Sequence, residues 1–521
     1  MRCMAAWRGP PRERRVPRVR GWDASRVAEL AGARLVSEAS AGVSEPGPLR
    51  TTIDSRHAGP GDLFVGLRGE RSDGGEFAVQ ALTAGAWGVL VTPEHAQDAV
   101  EAGVEGNVLA HPDPLAGLAA LARAWRRELG ARGMRVVAIT GSTGKTSTKD
   151  ILAAILSAEL RTVASPQNFN TEIGLPLAIL AAPGDTEVLV LEMAMRGAGQ
   201  IAELSAIAEP DVGVIVNVGP VHLELLGTLE AIAGAKAELI AGLPEGATIV
   251  IPAGEPLLAG HLRAELRTVT FGDGGDFTLQ PVPSVDGPHP AGEGAEVVIR
   301  EADSSRPSRG GRTGAAAAAA GERIVVQPSF RQEHNVRNLL AAVAAARSLG
   351  VTPHGPLNVR FSALRGERLA LEGGVVLIND CYNANPMSMR AAIDDLAETA
   401  PARRVAVLGD MLELGPQAPQ FHREIGQHAS ARGVEVLVTV GTMGAQTRSA
   451  FTGEAHSVAD AAAAAELLRG LLRAGDTVLV KGSRGVGLER VADVLGADSE
   501  PAGAPSEGAS VAEPSAGPGR R

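Results

Sequence analysis

Apolar runs and amphipathic stretches alternate along most of this chain, and the alternation predicts an α/β protein. Runs rich in Val, Ile and Leu indicate buried strands, and apolar stripes at helical spacing indicate the helices between them. Residues 134–350 follow the pattern of a mostly parallel sheet, and residues 351–496 contain further apolar runs separated by helical patterns. Shorter strands and helices are mixed over residues 22–133. We therefore expect three α/β domains with these bounds.

Three stretches interrupt this pattern. The start, residues 1–21, is rich in Arg, and the end, residues 497–521, is rich in Ala, Pro, Glu, Ser and Gly. Between them, residues 284–320 are rich in Pro, Gly, Ser and Ala. Such compositions are typical of disordered or loosely tethered segments. We expect a basic extension, a low-complexity insertion in the second domain and a disordered tail.

Composition and charge limit the classes of function and the cellular locations that we expect for this chain. The net charge of −11 argues against general nucleic-acid binding. The two cysteines, Cys3 and Cys381, cannot build a disulfide framework, which fits a reducing compartment. No uncharged apolar run approaches the length of a membrane span. We expect a cytoplasmic, monomeric enzyme with no membrane span and no nucleic-acid partner.

The main chemical signal is a Gly-rich loop between a predicted strand and a predicted helix. Its backbone N–H groups and the helix N-terminus are suited to phosphate oxygens, its lysine to the β- and γ-phosphates, and its first hydroxyl to Mg²⁺. Ile139 stands where the full Walker A pattern has Gly, so the loop is a shortened variant. The alternative is an ordinary strand-to-helix turn followed by a chance Lys-Thr pair. The loop residues are Gly141, Ser142, Thr143, Gly144, Lys145, Thr146 and Ser147.

Other candidate residues follow predicted strands. Glu192 ends the apolar run at 188–191, where a carboxylate beside a phosphate loop commonly holds Mg²⁺, although a solvent-facing glutamate is the alternative. His222 and Lys236 lie past strand ends of the same predicted sheet, and either alone is usually a surface group. The turn at 54–56, Asp-Ser-Arg, suits an anionic ligand, but it also fits a surface turn satisfied by its own side chains.

Over residues 22–496 the chain resembles the Mur ligases, which form amide bonds in peptidoglycan precursors. The resemblance implies a small mixed α/β uridine-nucleotide domain, a central P-loop-type sheet and a C-terminal Rossmann-like sheet. Several separate motifs carry it. They are Gly141–Ser147, Asn168–Gly174, Glu192–Gly197, Asn217–His222, Ala235–Glu238 and His334–Asn338.

Further stretches at 380–386, 409–415 and 481–485 resemble the family members that add D-alanyl-D-alanine to UDP-N-acetylmuramoyl-tripeptide. The resemblance implies an ATP-dependent ligase in the cytoplasmic stage of peptidoglycan synthesis, with the tripeptide carboxylate activated as an acyl phosphate. A ligase for another amino acid, a folate polyglutamate synthase and a generic P-loop ATPase remain as alternatives. The first domain speaks against the folate enzyme, which lacks a comparable one.

The resemblance also implies residue roles. It gives catalytic roles to Lys145, Lys236, His222 and Arg368. It gives metal contacts to Thr146, Glu192, His222 and Lys236, the last as a carbamylated lysine. It adds ATP contacts from Asn335, Asn338, Arg368 and Asp380 to those of the loop. It also implies that the uridine-linked substrate is bound by Asp54, Ser55, Arg56, Asn170 and Thr171.

Overall fold

The structure, a computed structural model, describes residues 21–39, 47–70, 72–280, 296–302 and 321–497. The described residues form 21 strands and 16 α-helices, which we label in chain order. The strands are β1 Arg34–Ser37, β2 Arg50–Thr52, β3 Asp62–Val65, β4 Gly88–Val91, β5 Asn107–Ala110, β6 Arg135–Thr140, β7 Thr162–Ala164, β8 Val188–Glu192, β9 Val212–Ile215, β10 Thr248–Pro252, β11 Arg267–Phe271, β12 Phe277–Gln280, β13 Val297–Glu301, β14 Glu322–Pro328, β15 Gly355–Leu357, β16 Glu367–Ala370, β17 Val376–Asn379, β18 Arg404–Gly409, β19 Val436–Val440, β20 Glu454–Val458 and β21 Thr477–Lys481. The helices are α1 Ala24–Ala31, α2 Ala78–Thr83, α3 Pro93–Glu101, α4 Pro114–Ala131, α5 Lys145–Leu156, α6 Gly174–Leu180, α7 Gln200–Ala208, α8 Leu223–Leu226, α9 Leu229–Gly242, α10 Pro256–Ala259, α11 Glu333–Ser348, α12 Pro386–Thr399, α13 Ala418–Ala431, α14 Gly444–Ser449, α15 Ala461–Leu471 and α16 Glu489–Ala497.

The strands form three sheets, and the first and the third lie within ranges expected from the sequence. The first has the order β1-β5-β4-β3-β2, with β1 antiparallel and the other neighbours parallel. The third has the order β16-β17-β21-β18-β19-β20, with only β16 antiparallel to its neighbour among the described strands. Parallel strands buried on both faces read as continuous apolar runs, which is why most of them are visible in the sequence.

The second sheet has ten strands in the order β15-β14-β13-β12-β11-β10-β9-β6-β8-β7. Successive residues of its central strand β6 enter two different cores, because side chains alternate across a strand. Val136 and Ala138 pack with helices α4, α6, α7 and α9, whereas Val137 and Ile139 pack with α5 and α11. The strand is thus covered by helices on both faces, as its uninterrupted apolar run predicts.

The central sheet extends beyond the bound at 350 that we expect from the sequence. Strand β15 pairs in parallel with β14, so the ladder continues to residue 357. The helical pattern that ends near 349 hides this strand, since Gly355–Leu357 is only three residues long and carries no apolar alternation.

The expected low-complexity insertion also contains a strand. Strand β13 pairs antiparallel with β12 and β14, and its Val298 and Ile299 are buried. The prediction that residues 284–320 are disordered is therefore wrong for residues 297–301. The biased composition on both sides obscures this five-residue strand in the sequence. Residues 281–295 and 303–320 lie outside the described residues, as do most of the basic extension and tail, at 1–20 and 498–521.

When residues are grouped by their contacts with one another, the chain divides into two compact units. The first contains the first two sheets up to Arg365, together with Asn385–Ala391 and Met411–Phe421. The second contains the third sheet, in Gly366–Ala384, Ala392–Asp410 and the described residues from His422 onward. Within the described ranges, each helix is too short or too polar to cross a bilayer.

Burial in the first unit predicts that truncation of two leucines has very different effects on the free energy of unfolding. Leu121 in α4 is 1% exposed, whereas Leu225 in α8 is 60% exposed. Leu121→Ala should lower the free energy of unfolding by about 2 to 5 kcal/mol, because it leaves a cavity in a packed core. Leu225→Ala should change it by less than about 0.5 kcal/mol. Urea unfolding followed by circular dichroism measures both, and equal losses would contradict this account of the core.

Candidate active site

The Gly-rich loop lies at the carboxyl end of β6 and leads directly into α5. Gly141 and Gly144 have φ angles of 154° and 76°, a region that residues with side chains rarely adopt. A Cβ atom on Gly144 would lie 2.5 Å from Oδ1 of Asn338. Glycine is therefore required at Gly144 for both backbone angle and space, and α11, which carries Asn338, lies directly against the loop.

Hydrogen bonds from the next strand fix the conformation of the loop. The Thr143 amide donates to Oδ1 of Asn217 at 2.9 Å, and Nδ2 of Asn217 donates to Oγ1 of Thr143 at 3.0 Å. The Ser142 amide donates to the Asn217 carbonyl at 3.1 Å, and Oγ of Ser142 accepts from the Gly219 amide at 2.9 Å. Because β9 pairs with β6, the segment after β9 clamps the loop after β6.

Glu192 accepts hydrogen bonds from two of the predicted site residues. Its Oε2 accepts from Oγ1 of Thr146 at 2.8 Å, and its Oε1 accepts from Nδ2 of Asn170 at 2.9 Å. Arg365 also donates to Oγ1 of Thr146, at 3.1 Å. The alternative of a solvent-facing glutamate is wrong, since Glu192 is buried at 4% exposure. The backbone carbonyl of Thr171 accepts from the Leu175 amide and thereby starts α6.

Charges compensate one another around Glu192. Burial raises the pKa of Glu192, but the cations of Lys145, Arg365 and Lys149 outweigh burial, so its pKa lies below the usual value. Burial lowers the pKa of Lys145, against the opposing effect of Glu192. Nζ of Lys145 donates to the Gly141 carbonyl at 2.8 Å, which holds this amine over the loop.

The donor set at the loop fits a magnesium ion. A hydroxyl and a carboxylate, from Thr146 and Glu192, are hard oxygen ligands of the kind that Mg²⁺ prefers. Mg²⁺ is commonly held by one or two protein groups together with substrate phosphates. The described ranges contain no cluster of three or more His, Cys, Asp or Glu side chains. These residues could therefore hold Mg²⁺ with a nucleotide, rather than in a cage made by protein alone.

His222 is held in an uncommon conformation. Its φ angle of 54° lies in the left-handed region, and its Nδ1 lies 2.5 Å from Oε2 of Glu413. Burial lowers the pKa of His222; Glu413 opposes the shift, and the ammonium groups of Lys145 and Lys236 add to it. The structure thus brings His222 within electrostatic reach of both lysines.

Lys236 lies in the middle of α9 and is 2% exposed. Burial lowers the pKa of Lys236 well below its usual value, and the charge of Lys145 lowers it further. Its chain neighbours Ala235 and Ala237 are also buried. Within the part of the chain that the structure describes, no acceptor forms a hydrogen bond or ion pair with this amine. Lys236 is therefore a buried lysine with a lowered pKa and with no hydrogen-bond or ion-pair partner among the described residues.

Asn335 and Asn338 lie on α11, each 6% exposed. Nδ2 of Asn338 donates to Oδ1 of Asn335 at 3.3 Å, and Asn338 contacts the loop at Gly144. The structure therefore brings this predicted nucleotide-binding pair to the phosphate loop.

The turn at Asp54, Ser55 and Arg56 is satisfied by its own side chains. Nε and Nη2 of Arg56 donate to Oδ1 and Oδ2 of Asp54 at 2.8 and 2.6 Å. This pairing lowers the pKa of Asp54 to about 2. Oγ of Ser55 donates only a long bond, of 3.4 Å, to Gln80. The geometry matches the surface-turn alternative, and the role of this turn in substrate binding stays a prediction.

Two predicted residues belong to the second unit and are paired within it. Nη2 of Arg368 donates to Asp395 at 3.1 Å and to Thr399 at 2.7 Å. Asp380 accepts from Nζ of Lys481 at 2.6 Å, and Lys481 is 2% exposed. Both predicted ATP contacts thus carry structural partners inside their own unit.

Several structurally important residues received no role from sequence reasoning. Asn217 lies two residues past the end of β9, so the rule that ligands gather at strand ends could have singled it out. Lys481 ends β21 and offers the same signal. Glu413 lies in the stretch at 409–415 that carries part of the resemblance, but its contact with His222, 191 residues away along the chain, has no signal in the sequence.

Comparison with known proteins identifies the family. Residues 50–126 match the family model described as the Mur ligase family, catalytic domain. Residues 139–346 match the Mur ligase middle domain, and residues 364–484 match the Mur ligase, glutamate ligase domain. The chain belongs to the Mur ligase family, as the sequence resemblance predicts.

Relatives within the family share one name, UDP-N-acetylmuramoyl-tripeptide–D-alanyl-D-alanine ligase. The protein of this name from Mycobacterium tuberculosis H37Rv is 38% identical over 490 residues, which cover 86% of this chain and 92% of the relative. That from Bacillus subtilis strain 168 is 35% identical over 459 residues, covering 84% and 91%.

Solved structures of proteins titled MurF share the fold of this chain. A crystal structure of MurF from Acinetobacter baumannii has a TM-score of 0.74 and 26% identity, covering 92% of this chain and 100% of that one. MurF from Thermotoga maritima, in complex with ADP, has a TM-score of 0.70 and 29% identity, covering 86% and 97%. The predicted three-domain α/β architecture is thereby confirmed.

The loop clamp generates a prediction about backbone dynamics. Asn217→Ala removes the acceptor for the Thr143 amide, so hydrogen exchange at Thr143 should be roughly 2- to 10-fold faster, the equivalent of one hydrogen bond. Asn217→Asp keeps an acceptor oxygen and serves as the control. Exchange at Thr143 that is unchanged in the alanine variant would show that the asparagine does not hold the loop.

Proposed function

We propose that this chain is an ATP-dependent ligase that joins D-alanyl-D-alanine to UDP-N-acetylmuramoyl-tripeptide. The observation that carries the proposal is the convergence of the phosphate loop, Glu192 and Lys236 in a chain of which relatives of that name cover 84% to 86%. MurF from Thermotoga maritima, which this chain resembles at 29% identity, was solved with ADP and supports a nucleotide at the loop. A cytoplasmic location and a monomeric state are further predictions.

The proposed reaction has two steps. The terminal carboxylate of the tripeptide attacks the γ-phosphorus of ATP, forming an acyl phosphate as the bond to ADP breaks. The amine of D-alanyl-D-alanine then attacks the acyl carbon, loses a proton, and displaces inorganic phosphate from the tetrahedral intermediate. Activation is necessary because a free carboxylate is a poor electrophile, and phosphate is a better leaving group than oxide.

Residues of the loop serve the first step by positioning and by neutralising charge. Phosphoryl transfer needs little covalent help from the protein, so amides of residues 141–146 and the Lys145 amine orient the phosphates and balance their charge. Thr146 and Glu192 would hold Mg²⁺, which supplies further neutralisation of the phosphate oxygens when bound. His222 would be a ligand of a further metal site. Asn335 and Asn338 would face the nucleotide beside the loop.

Lys236 would act as a carbamate. A neutral amine adds to CO₂ and releases a proton, and the product is an anion with two oxygens, like a carboxylate. Burial favours the neutral amine, and the lowered pKa of Lys236 therefore supports this chemistry. A carbamate would also replace a repulsive neighbour of Lys145 by an attractive one, and it would offer oxygen ligands to a metal ion.

Arg368 and Asp380 remain predicted contacts of ATP. Each would have to exchange a partner within the second unit, Asp395 or Lys481, for a nucleotide group. Asp54, Ser55, Arg56, Asn170 and Thr171 remain predicted contacts of the uridine-linked substrate.

Phosphate release tests the proposed function. With ATP, Mg²⁺ and UDP-N-acetylmuramoyl-tripeptide present, release should require D-alanyl-D-alanine, and mass spectrometry should show the pentapeptide product. Release that requires the tripeptide nucleotide but proceeds with another amino acid would indicate a different Mur-type ligase. Release that ignores both substrates would indicate a generic ATPase and contradict the proposal.

Lys236→Ala should strongly reduce ligation, because it removes the atom that carries the carbamate. The loss expected for a group that balances transition-state charge is about 100-fold or more in kcat. Short carboxylic acids such as acetate should restore part of the activity, since they can occupy the vacated space as anions. Lys149→Ala, at another buried lysine near Glu192, serves as the control that acetate should not rescue. Rescue of both variants, or of neither, would contradict the carbamate.

A further inference from the structure

We propose that Glu413 is a positioning residue that fixes the orientation and tautomer of the His222 imidazole. The inference rests on the proposed function, in which His222 is a ligand of a metal site. It assigns a role to a carboxylate that lies 191 residues away in the chain and that neither the sequence motifs nor the family comparison explains.

The contact itself defines the direction of the hydrogen bond. Oε2 of Glu413 lies 2.5 Å from Nδ1 of His222. A carboxylate has only acceptor oxygens, so the imidazole must donate, and Nδ1 must carry the proton. In the neutral ring the lone pair is then on Nε2, which is the nitrogen left for a metal ion or a substrate. A metal-ligating histidine commonly donates its other N–H to such a partner.

The backbone on both sides of the contact is held in a specific shape. His222 and Glu413 have φ angles of 54° and 63°, in the left-handed region that residues with side chains seldom adopt. The Glu224 amide donates to the Glu413 carbonyl at 3.1 Å. Gly415 follows closely, and a Cβ atom there would lie 3.2 Å from the Cα of Glu224. The segment that carries Glu413 is therefore docked on α8 by its backbone, independently of the carboxylate.

An arginine also contacts the same carboxylate. Nε of Arg196 lies 3.6 Å from Oε1 of Glu413, so the two oxygens face different partners. Arg196 is 74% exposed at its side chain, and such exposed pairs contribute little energy. His222, 21% exposed, is the more buried partner. The geometry thus points to orientation of the imidazole as the main consequence of the carboxylate.

Residues 411–421 group by their contacts with the first unit, although they begin two residues after the end of β18 in the second unit. The carboxylate that orients His222 is therefore supplied by a segment from the C-terminal part of the sequence. An N-terminal fragment that ends before this segment would contain His222 without its partner.

The test measures the tautomer directly, without metal or substrate. The chain has 11 histidines, so ¹⁵N-histidine spectra need His222→Gln to assign the signal. In the wild-type protein at neutral pH, the His222 signal should be that of the Nδ1–H tautomer. Glu413→Ala should move it to a mixture with the Nε2–H tautomer. Glu413→Gln keeps an acceptor oxygen and should restore the wild-type pattern.

Kinetics of the same variants supply a second readout. Glu413→Ala should lower kcat roughly 10- to 100-fold, the usual cost of losing such a partner, while KM for the tripeptide nucleotide changes little. Glu413→Gln should recover most of kcat. Glu224→Ala, a matched truncation of an exposed glutamate on α8, should change neither the spectrum nor kcat.

A wild-type His222 that is protonated at Nε2 would overturn the inference even if the alanine variant did not fold. So would a folded Glu413→Ala variant with an unchanged tautomer and unchanged kcat. Failure of the proposed function looks different: wild-type protein would then release no phosphate that depends on both substrates, while the spectra would still report on the hydrogen bond.

Discussion

The position of β6 between β8 and β9 is the constraint on which the candidate site depends. Ile139 pairs with Glu192 on one side, and Thr140 pairs with Ile215 on the other. Because all three strands are parallel, their carboxyl ends meet at one edge of the sheet. The phosphate loop, Glu192 and the segment that begins at Asn217 are therefore neighbours before any side-chain contact forms. A shift of one residue in the register of β8 against β6 would turn Glu192 to the opposite face of the sheet.

Buried charge is the second constraint. Lys145, Glu192 and Lys236 are ionisable groups in surroundings that disfavour charge, and such groups are stable only when paired or neutral. Glu192 is paired with cations and with the Thr146 hydroxyl. Lys236 has no such partner among the described residues, and its pKa falls. The site thus combines one anion stabilised by cations with one buried amine whose pKa is lowered.

Much of this could be predicted from the sequence, for physical reasons. Buried parallel strands appear in the sequence as apolar runs, and the loop signature is local. The central sheet and the loop residues Gly141 to Thr146 could therefore be predicted. Short strands such as β13 and β15 were not, because three to five residues carry too little periodicity beside biased composition. The pairing of Arg56 with Asp54, and of His222 with Glu413, depends on side-chain geometry that no spacing encodes.

The central claim is that the loop activates a carboxylate by phosphorylation, and oxygen transfer tests this most directly. The measurement uses UDP-N-acetylmuramoyl-tripeptide labelled with ¹⁸O in its terminal carboxylate, with unlabelled ATP and D-alanyl-D-alanine. One carboxylate oxygen leaves with the phosphate when an acyl phosphate collapses, so the account predicts one ¹⁸O in each phosphate released. Phosphate released without label, alongside formation of the pentapeptide, would contradict it.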